Sequence, residues 1–472
     1  MPITGSWINL PYKDVRNKYT NPHDFDNTYP DLWRAKVSEL AGMGIEYLVI
    51  MEVADQGKSY YPSRIMEPLY NPAFESPVSA ILDEAAKHGQ KVFLSTGWAK
   101  SHDDDMRDPA TKARQLEIME EVGGLYKNSP AFFGWYLPVE DCLCPVLPDH
   151  AVDAVNTLVQ RARELTPGKK TMISPYGIGL SDFSDPRYAD QLGKLHVDII
   201  AYQDEVGCVR DEFTLPRLKE NWRRMRAIHD NLGIEMWANC ETFTWEEGTN
   251  SRESALIPAA YPRLLAQQAA ASQGGVDRII SFMFDGIIED PKSKYQLGQP
   301  DVSGRLYNAY MAWRGGDRYW KLMENAIAGR LANGAPSGTV TENPAVIDGK
   351  SGEESIESPE WIRFRNGYNE VLFDFGKRIK VNEVLIRTLN YAKRNIQAPL
   401  KTYIYLSDDG KHFKLISIRD TPLWPNDKHD AWVDGTYFCD LDTKARFMKV
   451  AFSAPSELMI DEIFINPSII TK

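Results

Sequence analysis

The chain has 472 residues, more than one ordinary domain, and its 43% hydrophobic and 25% charged content is that of a globular protein. The formal net charge of −12 excludes a nucleic-acid partner held through its backbone, which needs a surplus of Lys and Arg, and suits neutral ligands. No apolar run approaches the roughly 20 residues of a membrane span, and no signal peptide precedes the first apolar run, so a cytoplasmic protein or a removed leader is expected.

In chain order, eight short apolar runs alternate with amphipathic stretches over residues 5–330. The runs are GSWINL (5–10), IEYLVIMEV (45–53), KVFLSTGW (91–98), FFGWYLPVE (132–140), KTMISPYG (170–177), VDIIAYQDE (197–205), IEMWANCE (234–241) and DRIISFMFD (277–285). Between them, apolar residues recur at helical spacing, as at Ala151, Ala154, Val155 and Leu158. The last helical stretch reads from GRLYNAYMAW to NAIAGRL. Strands apolar on both faces and alternating with helices predict a parallel sheet, and eight such units in this length predict a (β/α)8 TIM barrel. The stretch ANGAPSGTVTENP (332–344) has no periodicity and reads as a linker. Beyond it come only strand-like runs, WIRFR, EVLFDFG, VNEVLIRTL, KTYIYLS, FKLISI, FMKVAFS and MIDEIFI, with Asp-Gly between two of them as a hairpin signal. The expected organisation is therefore a catalytic barrel over 1–331, a linker over 332–344 and an all-β sandwich over 345–472.

Catalysis in such a barrel occurs at the C-terminal ends of the strands. There the runs finish on Glu52, Glu140, Gln203 with Asp204, Glu241 and Asp285. Any single acid at a strand end reads more simply as a helix cap or a solvated loop residue. The set, each acid following apolar sequence, points to chemistry. Aromatic residues accompany the acids: Trp7, Trp98, Trp135 and Trp245 lie in or after runs one, three, four and seven, Tyr60 follows run two and Tyr176 ends run five. Carboxylates beside aromatic faces suit a sugar, whose C–H face stacks and whose hydroxyls hydrogen-bond. Two carboxyls flanking a glycosidic bond are the usual means of hydrolysing it. Glu140 and Glu241 are the expected catalytic pair, because runs four and seven lie on roughly opposite sides of the pore. The apolar run before Glu140 suits an acid, and Asn239 is a candidate neighbour of Glu241. The remaining residues of this set, Trp7, Glu52, Tyr60, Trp98, Trp135, Tyr176, Gln203, Asp204, Asn239, Trp245 and Asp285, are expected to bind substrate. The other readings are a non-catalytic glycan-binding protein on a degenerate barrel, and a hydrolase or lyase that uses Asp204 or Asp285.

The strand-four acid and strand-seven Glu resemble the large clan of retaining glycosidases with (β/α)8 barrels. That resemblance implies Glu140 as acid/base and Glu241 as nucleophile. In the clan an Asn usually precedes the strand-four acid and holds the sugar 2-hydroxyl; here Val139 takes its place. TGSWINLPYKDVRNKY, MGIEYLVIMEVADQGKSYYPS, FFGWYLPVED, AYQDEVG and WANCETF are similar to an uncharacterised bacterial barrel family from glycan-degradation gene clusters. That family implies a carbohydrate substrate and a periplasmic or secreted location. VIDGKSG, VLFDFGKRIKVNEVLIR, IYLSDDGKHF, ARFMKVAFS and LMIDEIFINP resemble discoidin-like (coagulation factor 5/8 type C) sandwiches, many of which bind sugar. The same resemblance places Asp348 and Glu462 where calcium ligands would be, and Trp361, Trp424 and Trp432 are candidates for a ligand face, with a buried Trp361 as the alternative.

No cofactor is implied. Five sparse cysteines form no disulfide framework, and Cys142-x-Cys144 lacks the spacing of a zinc site. The run His102-Asp103-Asp104-Asp105 reads as a solvated loop rather than a metal site. Phosphate-loop, dinucleotide, zincin and serine-elbow motifs are absent from the sequence.

Overall fold

The structure, a computed structural model, describes residues 1–10, 26, 28–98, 104–181, 183–208, 215–245, 253–259, 261–298, 300–314, 327–332, 345–347, 350, 352–353, 355–381, 384–420, 431–438 and 441–465. The chain divides into two compact units, one around a parallel barrel and one around antiparallel sheets.

The barrel strands are β1 (Gly5–Ile8), β2 (Tyr47–Ile50), β3 (Lys91–Ser95), β4 (Phe132–Tyr136), β5 (Lys170–Ile173), β6 (Ile199–Gln203), β7 (Glu235–Glu241) and β8 (Arg278–Phe282). Each pairs in parallel with its sequence neighbours, and β1 pairs with β8 to close the ring through Gly5↔Ile280 and Ser6↔Ser281. Helices α1 (Pro30–Gly42), α2 (Pro77–His88), α3 (Pro109–Tyr126), α4 (Asp149–Leu165), α5 (Pro186–Gly193), α6 (Leu215–His229), α7 (Tyr261–Gly274) and α8 (Pro300–Arg314) follow the strands in turn. Their starts show why these segments are helical. Ser76, Asp108 and Asp185 accept hydrogen bonds from first-turn amides, and each is followed directly by Pro at a position where no amide hydrogen is needed. The strands are shorter than the apolar runs, so the residues between strand end and acid form the loops of the mouth.

Inside the barrel the side chains lie in layers. The lower layer joins Tyr47 of β2, Phe93 of β3, Phe133 of β4 and Trp237 of β7, with the Arg278 guanidinium 4.3 Å from the Tyr47 ring centroid and 5.4 Å from that of Trp237. Trp7 of β1 and Tyr136 of β4 meet edge to face at 4.6 Å. Those strands are not neighbours in the ring, so the contact crosses the interior.

The antiparallel unit has a five-stranded sheet in the order 327–332, 367–381, 443–454, 401–407, 414–420 and a four-stranded sheet in the order 362–364, 458–465, 384–390, 432–438. Alternate residues Val371, Phe373 and Phe375 of one sheet, with Met448, Val450 and Phe452 beside them, share a core with Val384, Ile386, Ile460 and Ile463 of the other. This is the expected β-sandwich, and the expected hairpin joins 401–407 to 414–420. One expected element differs. Of the expected final helical stretch, Pro300–Arg314 is helical, whereas Ile327–Ala332 is an edge strand paired with Gly367–Val381. Cross-strand pairing there overrides a helical apolar pattern.

The closing seam leaves no room at Gly5. A Cβ built there would lie 2.4 Å from Ile280 Cγ2. Gly5→Ala is therefore expected to destabilise the barrel by about 1–3 kcal/mol, the usual cost of overpacking. Denaturant unfolding followed by tryptophan fluorescence measures this, and an unchanged midpoint would refute the tight seam.

Candidate functional site

The site is built on loops that leave the C-terminal ends of β2, β4, β6 and β7. Glu241 is the last residue of β7 and is buried. Its Oε2 accepts hydrogen bonds from the amides of Gly207 (2.7 Å) and Cys208 (2.6 Å), in the loop after β6. Two convergent amides are the arrangement that solvates an anion. Gly207 is required for it, since a Cβ there would lie 2.4 Å from the Phe243 carbonyl oxygen and 3.0 Å from Glu241 Oε2.

Asp204 sits beneath this carboxylate, wholly buried. Its Oδ1 accepts from the amides of Glu241 (3.1 Å) and Val206 (3.3 Å), and its Oδ2 from Gln267 Nε2 of α7 (2.7 Å). Gln267 also donates to the Glu241 carbonyl at 3.1 Å. Asp204 thus holds the end of β7 in register with the following helix.

Glu140 lies four residues past the end of β4 and is half-buried. Tyr136 donates its hydroxyl to Glu140 Oε1 at 2.9 Å. The adjacent Asp141 points elsewhere: its Oδ2 pairs with His150 Nε2 of α4 at 2.9 Å, and its Oδ1 accepts the Cys142 amide. Of the two acids that end FFGWYLPVED, only Asp141 behaves as a loop anchor.

Glu52 is buried near Glu140. Its Oε1 accepts the Leu10 amide at 3.1 Å and its Oε2 has no hydrogen-bond partner. Burial pushes its carboxyl well above the usual range, reinforced by Asp55 and Glu140 and opposed by the Leu10 amide. Tyr60, also buried, has an unpartnered hydroxyl that burial and the nearby Glu52 and Asp55 push up. Trp7 Nε1 and Asn239 Oδ1 are likewise buried without a partner. Asn239 donates to Ser174 Oγ at 3.3 Å, and Gln203 donates to the Ser174 carbonyl at 3.0 Å, so the ends of β5, β6 and β7 share one polar contact. Tyr176 is 40% exposed, with its hydroxyl pushed up by burial and by Cys142, Asp141, Glu205 and Glu140. Trp98 is buried where its amide donates to the Ala54 carbonyl at 3.0 Å. Trp245 is half-buried 5.6 Å from Phe243, in a short strand paired with 256–258.

Two expected binding residues are placed apart from this group. Trp135 donates its indole N–H to Thr166 Oγ1 after α4, at 2.8 Å, and packs on Phe132, so it faces the helices. The cause is a bulge at Phe133: Val92 pairs with Phe132 but Phe93 with Gly134, which turns Trp135 outward and Tyr136 inward. Asp285 lies by a buried ion pair of Lys36 (α1) with Glu289 (2.5 Å). Burial lifts its carboxyl to about 7, against the opposing pull of Lys36. Sequence reading missed Tyr136, Gly207 and Gln267. Tyr136 faces inward only because of the bulge at Phe133, which no sequence signal marks, and the other two have roles set by tertiary contacts alone.

Among the described residues no group of three or more His, Cys, Asp or Glu could hold a metal. Asp348, Trp424, His102 and Asp103 lie outside the described residues. Trp361 is buried in a small core with Leu389, Ile396 and Met459, and its N–H donates to the Glu353 carbonyl at 2.7 Å. It takes the buried reading rather than the ligand-face one. Glu462 is buried beside Asp461, which pairs with Arg387.

Fold and site together define a (β/α)8 barrel with an acid-lined mouth, followed by a β-sandwich. The chain belongs to the family described as "Domain of unknown function (DUF4434)", whose pattern matches residues 3–295. No curated protein matches it. Among solved structures, it is similar to a putative α-L-fucosidase from Bacteroides thetaiotaomicron VPI-5482, with 20% identity, 66% of this chain and 93% of that chain covered, and a TM-score of 0.53. A Ruminococcus gnavus GH29 fucosidase in complex with fucose aligns over 98% of this chain and 92% of that chain, at 13% identity and a TM-score of 0.37. The CBM32-5 module of a Clostridium perfringens GH89 protein, in complex with GalNAc-β-1,3-galactose, aligns with 31% of this chain and 97% of its own, at 16% identity and a TM-score of 0.23. The first of these likenesses concerns the barrel fold.

The Asp285 shift has a consequence for stability. Its folded-state proton is held up to about 7, whereas an unfolded Asp titrates near its ordinary value of 3.8. The folded state therefore binds the extra proton between those limits, and stability falls as pH rises through the interval, by on the order of 2–4 kcal/mol. Asp285→Asn carries no titrating proton and should flatten that slope. Thermal unfolding of both proteins from pH 4.5 to 8 tests this; equal slopes would show that Asp285 titrates normally.

Proposed function

We propose that this protein is a glycoside hydrolase of retaining mechanism, with Glu140 as acid/base and Glu241 as nucleophile. The observation that carries the reading is the contrast between the two carboxyls. Glu241 is buried on the last rung of β7 with two amides on one oxygen, as a fixed anionic nucleophile should be. Glu140 is half-buried on a loop under a tyrosine hydroxyl, where a proton can be exchanged with a leaving group and then with water. Trp7, Glu52, Tyr60, Asn239 and Tyr176 supply unpartnered polar atoms and an exposed aromatic face for a sugar ring. Trp98, Gln203 and Trp245 complete the mouth, with Asp204 beneath it.

The reaction proceeds in two steps. Glu241 attacks the anomeric carbon while Glu140 gives its proton to the departing oxygen. Glu140 then takes a proton from water, which displaces Glu241 from the sugar and restores both residues. The sandwich is assigned as a discoidin-like accessory that holds glycan near the barrel, on its sequence likeness, and that likeness also favours a periplasmic or secreted location. α-L-Fucosides belong in any substrate screen because a barrel of the same fold is described as a putative α-L-fucosidase.

Glu241→Ala is expected to abolish turnover on every substrate. Glu140→Ala should lose about 10²–10⁴-fold with a natural sugar leaving group, yet still form the glycosyl-enzyme from a nitrophenyl glycoside. Azide should then speed its deglycosylation, because a small anion needs no base. Rates on both leaving groups, with and without azide, decide the roles. Equal loss in both mutants on both substrates, with no azide response, would sink the assignment, and a wild type inert across the screen would favour a glycan-binding barrel.

A further inference from the structure

The two proposed catalytic acids are secured in different ways. Glu241 is the last residue of β7, held within the ladder, and amides grip its carboxylate. Glu140 has no such support from β4, which ends at Tyr136. Leu137 still donates to the Met172 carbonyl at 2.9 Å, and Val139 folds back on Leu137 at 2.8 Å, but the ladder stops there. A glutamate on a loop loses rotamer entropy when it is fixed, of order 1.5–2 kcal/mol, so something has to hold it.

Tyr136 is placed to do so. It is fully buried, and its hydroxyl lies 2.9 Å from Glu140 Oε1. Its ring cannot swing aside, because Trp7 meets it at 4.6 Å and 85° from across the interior. The bulge at Phe133 sets its direction, since without that extra residue Trp135 would face the pore instead. Burial, followed by the Glu140 charge and the hydrogen bond to it and then by Glu52, pushes the phenol well up, so it remains a proton donor across the working pH range.

We propose that Tyr136 is a positioning residue for Glu140: its O–H engages Oε1, leaves the transferable proton on Oε2, and turns that oxygen toward the glycosidic bond. This rests on the reading of Glu140 as the acid. Trp7 serves as the buttress that keeps Tyr136 in line. The balance of the first step is unchanged, with the proton on Oε2 passing to the leaving oxygen as the glycosidic bond breaks and the Glu241–carbon bond forms.

The test compares wild type, Tyr136→Phe and Glu140→Gln on a nitrophenyl glycoside and on a disaccharide of the same glycone. Phenylalanine keeps the ring and removes only the hydroxyl. Misaligned proton transfer should lower kcat on the disaccharide about 10–100-fold, leave KM within about twofold, and change nitrophenyl release by less than about threefold. A crystal structure of Tyr136→Phe should show the Glu140 carboxyl displaced or split between rotamers. If Glu140→Gln shows the leaving-group split but Tyr136→Phe loses nothing, or loses equally on both substrates, the positioning role is overturned while the acid reading stands. If Glu140→Gln keeps full activity on the disaccharide, both fall. An unmoved Glu140 in the Phe variant overturns the positioning role even where no substrate has been found.

Discussion

The carboxyl group of Asp204 is the point on which the mouth of the barrel depends. It takes a hydrogen bond from the amide of Glu241, another from Val206 and a third from Gln267, and so ties β7, the loop after β6 and α7 together. A buried carboxylate is tolerated only when its lone pairs are filled, and three donors fill them. Removing the Gln267 donor would leave a buried acceptor undercompensated, a loss on the order of 1–3 kcal/mol. The network fixes the peptide that carries Glu241 and the turn whose Gly207 and Cys208 amides reach its side chain. The Glu241 carboxyl and the amides that grip it are thereby set by one buried group.

The strand ends show how three carboxyls can differ. Glu241 faces amides, Glu140 faces a phenol and partial solvent, and Glu52 is buried with one amide on it and Asp55 and Glu140 nearby. Environments that push carboxyls apart are how one site supplies both an acid and an anion. Burial pushes the Glu52 carboxyl well above the usual range, with Asp55 and Glu140 adding to the effect and the Leu10 amide opposing it.

Much of the fold is legible in the sequence because a parallel barrel buries both faces of each strand, which leaves eight nearly continuous apolar runs. Part of the sandwich is legible for the opposite reason, since alternate residues of the strand 367–381 are buried and the alternation at Val371, Phe373 and Phe375 survives. The acids Glu140 and Glu241 stand out because each ends such a run. Trp135 and Tyr136 were not separable. Strict alternation from Phe133 points Trp135 inward, and nothing in the sequence marks Phe133 as the bulged residue. Asp204 and Asp285 end runs just as Glu241 does, yet one is spent on backbone amides and the other lies by Lys36 of α1. Those partners are distant in sequence, as are Gly207 and Gln267 from the strand end they support. Ile327–Ala332 was misread because its partner strand lies beyond the linker.

A buried polar atom without a partner costs about 1–3 kcal/mol. Trp7 Nε1, Glu52 Oε2, Tyr60 OH and Asn239 Oδ1 all incur that cost in the same region, at or above the layer where Trp7 meets Tyr136. The layer below, Tyr47, Phe93, Phe133 and Trp237, is aromatic and well packed, and the Trp237 indole finds Glu235 at 3.0 Å. Buried polar atoms without a partner occur elsewhere in the described residues too, as at Gln90, Gln115 and Trp222, but these four lie beside the acids of the mouth. Departures from local consistency are expected where a protein binds or reacts rather than where it only folds. A ligand rich in hydroxyls, which both donate and accept, can satisfy an indole N–H, a phenol, a carboxyl oxygen and an amide oxygen at once. No purely apolar ligand can, and that asymmetry is the strongest physical reason to regard this mouth as built for a sugar.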